Sequence, residues 1–95
     1  MSRELIKAHL NLYAVLQNLE ELVRLDHEMA ELVRTWDVVL QFSVRGGPSA
    51  YLEFKNGACR HGRGAHANPN IKLYFLSPDH LNRMFEGKGT PIPLR

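Results

Sequence analysis

At 95 residues the chain holds one domain at most, and folding buries only about two-thirds of the surface that such a chain exposes when unfolded. Its apolar fraction of 44% excludes wholesale disorder, and a net charge of +2, with both signs spread along the chain, is too weak to argue for nucleic acid. No apolar run is long enough to span a membrane, the N-terminus lacks the apolar centre of a secretory signal, and the lone Cys59 makes no internal disulfide, so a cytoplasmic, reducing compartment is expected.

Residues 3 to 34 read as helix. Ser2 is a fitting N-cap, and neither proline nor glycine interrupts the segment. Leu5, Leu12, Leu16, Leu19 and Val23 lie on one stripe, joined by Ala8, Val15 and Leu22. Arg3, Lys7, Asn11, Asn18, Glu21 and Arg24 take the opposite side. Asp26 falls where the stripe fails, at the heptad position after Leu5, Leu12 and Leu19, so the break is placed at Leu25-Asp26. A shorter helix holding Met29, Ala30, Leu32 and Val33 follows. Asn18 with Glu21, a capping-box pattern, is the other place for a break. The stripe reads as packing against a sheet. A coiled-coil dimer seam is the alternative, although fewer than four clean heptads are present.

From Asp37 to Arg45 apolar and polar residues alternate, the two-residue period of a half-buried strand. Gly46 to Ser49 turns the chain, Ala50 to Lys55 returns, and Asn56-Gly57 signals a tight hairpin into a third strand, Ala58 to Gly62. Residues 62 to 70 are loop by composition, and Ile71 to Leu76 is a fourth strand. Ser77, Pro78 and Asp79 supply an N-cap, a first-turn proline and an acid for a helix running to Glu86 and stopping at Gly87. Alternation sends Val38, Leu40, Phe42, Val44, Leu52, Phe54, Ile71, Leu73 and Phe75 to one buried face. It sends Gln41, Ser43, Arg45, Tyr51, Glu53, Lys55 and Lys72 to a mostly polar, wet one. The fold class is α+β: N-terminal helices, a four- to five-stranded, mainly antiparallel sheet with one helix-covered face, and a short helix near the C-terminus.

This order resembles the sterol-carrier-protein-2-like lipid-binding domain. The resemblance rests on the strand Val38 to Val44, the Gly-rich turn, the strand and hairpin Tyr51 to Gly57, the strand Ile71 to Phe75, and the helix from Ser77 to Leu81 closing on Phe85-Glu86-Gly87-Lys88. It covers the central half of the chain and treats residues 1–95 as one such domain: a helical lead-in at 3–34, sheet and helix at 37–87, and a tail at 88–95. Members of that family continue past the Gly-Lys pair with a further strand and helix that help to close the cavity. The stretch Thr90 to Arg95 is expected to lack both. The resemblance implies an apolar tunnel between sheet and helices for an acyl chain or sterol, with no cofactor and no catalysis.

Leu40, Phe42, Leu52, Phe54, Leu73, Phe75, Leu81, Met84 and Phe85 are the candidate walls of that cavity, or else a filled core. Each ligand methylene buried there contributes roughly 0.8 kcal/mol, which suffices for micromolar binding of a long acyl chain. Arg60, Arg63 and His66, with His61 among them, form a candidate head-group contact around Gly62 and Gly64, or a solvated loop. The loop also suggests peripheral contact with anionic membrane. Cys59, His61 and His66, with His80, make a C-x-H-x4-H set looser than a structural zinc site, so no metal is assigned. Cys59 with His61 is the one nucleophile–base pair in reach, and two positions along a strand is a poor separation for it. Tyr51, Tyr74, Arg45, Lys55 and Lys72 only loosely match an RNA-binding sheet, and no nucleic-acid partner is assigned. The expected partners are therefore a lipid or fatty-acyl ligand and, because part of the apolar face would stay uncovered, a second copy in a homo-oligomer. A structural or oligomerisation module built on the N-terminal helix is the competing reading.

Overall fold

The computed structural model describes residues 2–87 and 92–94. Its elements run α1 (Arg3–Leu25), α2 (His27–Val33), β1 (Val38–Val44), β2 (Ser49–Lys55), β3 (Ala58–Arg63), β4 (Ile71–Phe75), α3 (Pro78–Phe85) and β5 (Ile92–Leu94). Each helix starts where the sequence provides a cap. The Ser2 hydroxyl accepts the Leu5 N–H, the Asp26 carboxylate accepts the N–H groups of Glu28 and Met29, and the Ser77 hydroxyl accepts the His80 N–H. Asp26 therefore both ends α1 and begins α2, because its side chain satisfies backbone donors that a continuing helix would have bonded itself. Gly87 leaves α3 at φ +79°, a conformation that glycine adopts freely.

The sheet is mixed, in the order β3-β2-β1-β4-β5. Pairings β1–β2, β2–β3 and β4–β5 are antiparallel, whereas β1–β4 is parallel. The short strand β5, in the tail where no further strand was expected, adds an edge beyond β4. Residues 88–91 and 95 of that tail, including Lys88 of the Gly-Lys pair, lie outside the described residues.

That strand order accounts for the main departure from simple alternation. The connection from β3 to β4 must pass across β2 and β1, roughly 14 Å at ordinary strand spacing. The segment 64–70 does so on the face away from the helices. The Asn70 N–H donates to the Val39 carbonyl, and the Asn70 side-chain oxygen accepts the Val39 N–H. Val39 and Gln41 are buried beneath the crossing, and Gln41 is only 4% exposed. Gln41 Nε2 donates to the carbonyls of Ala50 and Gly64, and its Oε1 accepts the His66 N–H at 2.7 Å. The face expected to be wet is thus covered over part of its area, and a polar side chain is buried there because every one of its groups is bonded.

On the opposite face α1 and α3 close the core. Ala8, Leu12, Leu16 and Val23 of α1 pack with Phe42, Leu52, Phe54, Phe75 and Leu81. Ile71, assigned to the buried face, is exposed at the first position of β4, where its partner Leu40 is itself only half-buried. Leu22, at the margin of the α1 stripe, is also exposed. Asn11, assigned to the polar side, instead turns to α3: its Nδ2 donates to Asn82 Oδ1, and Asn82 Nδ2 donates to the Glu4 carbonyl. α3 packs along the flank of α1, and that contact draws the polar residue in. No described helix is long and apolar enough to cross a membrane.

Candidate functional site

The nine candidate wall residues do come together. Phe42, Leu52, Phe54, Phe75 and Leu81 are buried, and Leu40, Leu73, Met84 and Phe85 pack against them from the margins. They form the close-packed floor between sheet and helices. A groove lies to one side of that floor, between the C-terminal half of α1, α2 and the edge strand β3. This groove of about 670 Å³ is lined by Val23, Ala30, Ala58 and Cys59 as its apolar members, with Glu20, Arg24, Arg60 and His61 around them. Val23 and Cys59 belong to the core as well, so the groove opens directly onto it. Sequence reasoning named Cys59 and His61 as sharing one side of a strand. Glu20 and Ala30 carried no sequence signal, because their roles depend on how α1 and α2 meet β3.

The polar wall is organised by Glu20. Its Oε1 accepts the His61 backbone N–H at 2.9 Å and lies 3.0 Å from His61 Nδ1. Burial pushes this carboxyl toward a higher pKa, but the hydrogen bonds from the His61 backbone and ring, with the charges of His61 and Arg60, outweigh it and hold the group below the ordinary glutamate range. The bond also occupies an outward-facing backbone donor of β3, an edge strand that would otherwise present it to another chain. Cys59 is the opposite case. Burial, aided by the Glu20 charge, pushes its thiol up to about 11.

The basic residues around Gly62 do not form one cluster. β3 extends through Arg63, so its two-residue period separates them. Arg63 lies over the Tyr13 ring on the helical side, 4.3 Å from the centroid. His66 is on the far face, with Nε2 3.3 Å from Glu53 Oε2 and its ring edge-on to Tyr51. Arg60, exposed on the edge strand, borders the groove and also a smaller polar hollow formed with Glu53, Lys55 and Asn56. For the same reason Cys59 and His61 face the groove while His66 lies across the sheet. Among the described residues no three potential metal ligands meet. Gly62 itself is required by contact, since a Cβ there would run into the Tyr51 ring of the paired strand.

The helices and mixed sheet make an α+β domain, and comparison with solved structures shows its fold to be sterol-carrier-protein-2-like. Among solved structures the chain is similar to sterol carrier protein 2 from Yarrowia lipolytica in its apo form. The TM-score is 0.54 at 23% identity, over 80% of this chain and 71% of that one. No family model matches the sequence. No curated protein matches it either.

Proposed function

We propose that this domain binds a lipid, fatty-acyl or sterol-like ligand without catalysis, and that its role is transfer or presentation of that ligand. The observation that carries the reading is the groove between α1, α2 and β3. Its volume of about 670 Å³ lies within the range of small-molecule sites, and it opens on the hydrophobic core. The likeness of the fold to a sterol carrier protein supports the ligand class. Val23, Ala30, Ala58 and Cys59 would hold the apolar body, over the floor of Phe54 and Leu52. Cys59 remains a neutral thiol, which favours binding over covalent chemistry.

Native mass spectrometry of protein purified from cells should show a retained lipid. Displacement of an environment-sensitive fatty-acid probe should report low-micromolar binding. Ala30→Trp, at a half-buried position, fills the groove and should weaken probe binding at least tenfold with the fold intact. Unchanged affinity in a folded Ala30→Trp variant would remove the groove from consideration.

A second reading is favoured by the outward face of α1. Ile6 and Leu10 form an exposed apolar pair one turn apart, Leu10 being 66% exposed, on the side assigned to polar residues. This pair, with exposed Leu25 and Leu32, suits an oligomerisation module. Light scattering at low concentration separates the readings: a stable monomer that still binds the probe leaves ligand binding alone.

A further inference from the structure

Glu20 determines which nitrogen of His61 faces outward. A carboxylate only accepts hydrogen bonds, so with Glu20 Oε1 3.0 Å from Nδ1 the proton of the neutral imidazole belongs on Nδ1. Nε2 then carries a lone pair. Among the described residues Nε2 has no hydrogen-bond partner and no buried side-chain nitrogen is left unbonded, so Nε2 is accessible. His61 is part of the groove wall.

We propose that His61 reads the polar head of the ligand, and that protonation of its ring changes the head-group class the groove prefers, from an alcohol to an anion. The inference rests on the groove being the ligand site. In the neutral state Nε2 accepts a hydrogen bond from a hydroxyl head. An anionic head has no proton to give and meets both the lone pair and the Glu20 charge. In the protonated state Nε2–H donates a charge-assisted bond, the stronger kind, to a carboxylate, sulfate or phosphate oxygen.

The other charged groups around the groove hold their state. Glu20 and Arg24 come from α1, and Arg24 is tied to Glu21 at 2.6 Å. Arg60 comes from β3, and α2 contributes the uncharged Ala30. Cys59 stays a thiol. Of these residue types only histidine ordinarily changes charge between about pH 5 and 8. Arg60 supplies a standing positive charge at the rim, and protonation of His61 adds the second that a singly charged head needs beside Glu20.

The test uses two competitors with the same alkyl chain, hexadecanol and hexadecyl sulfate, whose heads do not titrate in the range. Each displaces the fluorescent probe from the full chain at about pH 7.5 and about pH 5.5, with circular dichroism confirming the fold. The sulfate-to-alcohol affinity ratio should rise about tenfold on acidification. His61→Gln, which keeps a hydrogen-bonding side chain without a titration, should hold the ratio constant. A constant ratio in the unaltered chain, or the same rise in His61→Gln, overturns the inference while leaving the groove as the site. Failure of both competitors to displace the probe at either pH overturns the groove reading and this inference with it.

Discussion

Replacing Gln41 probes the least expected part of the structure, a polar side chain buried between the sheet and the segment 64–70. Gln41→Ala removes two bonds that hold the crossing segment, one to the Gly64 carbonyl at 3.0 Å and one from the His66 N–H at 2.7 Å. At about 1 kcal/mol for each net hydrogen bond, with the packing of a truncated buried side chain added, the loss should be about 2–3 kcal/mol. A 95-residue domain has only about 5–14 kcal/mol in total, so the change is large. Gln41→Glu is sharper. It keeps an acceptor for His66 but turns the donor into a carboxylate oxygen facing the carbonyls of Phe42, Ala50 and Gly64. A buried, unpaired negative charge among acceptors should cost more than the alanine, above about 3 kcal/mol at neutral pH, and part should return when acid protonates it. Urea unfolding followed by circular dichroism gives the order, and hydrogen exchange of the His66 amide shows whether the segment has come loose. If Gln41→Glu stays within about 0.5 kcal/mol of the parent and the His66 amide remains protected, the side chain does not anchor the crossing.

Gly62→Ala should destabilise by about 1–3 kcal/mol, because its methyl meets the Tyr51 ring, and Tyr51→Ala in the same chain should relieve part of the cost in urea titrations. Glu20 has a folded-state pKa below its unfolded value, so its bond to His61 adds stability above the ordinary glutamate pKa of about 4.3 and loses it as pH falls through the lower folded value. Glu20→Gln should therefore flatten the acid side of the stability curve. If Arg60 and Arg63 draw the domain to anionic vesicles, the double alanine variant should sediment with them less than the parent, at low salt above all. Arg63→Ala alone should also loosen Tyr13, visible as a change in tyrosine fluorescence, because the guanidinium covers that ring.

Local signals in the sequence proved sufficient for the three helices and the first four strands. Ser2, Asp26 and Ser77 cap helices because each places a short polar side chain against free backbone donors, and Asn56-Gly57 turns a hairpin at positive φ in both residues. What escaped is set by long-range pairing. Nothing near Val39 or Gln41 announces that a later segment will cover them. That follows from β4 pairing parallel to β1, a contact between residues about thirty apart. The same holds for the groove. Cys59 and His61 were visible as a pair on one strand, but Glu20 joins them only because α1 runs along the β3 edge. Arg63 and His66 are close in sequence, and the strand's alternation and the crossing carry them to opposite faces.

The bonds from α1 to α3 have a consequence for how the domain is made. Asn11 and Asn82, which tie the two helices, are separated by 71 residues. At a synthesis rate of about 5–20 residues per second, α1 leaves the ribosome roughly 4–14 seconds before its partner helix is made. Through that interval the inward apolar stripe of the helix lacks the cover of α3. The three-stranded meander β1–β2–β3 assembles from neighbouring segments and offers only a partial floor. The nascent chain should thus depend on chaperone shelter until α3 emerges, and a ribosome stalled just before Ser77 should hold a chaperone-bound intermediate that extension past Gly87 releases.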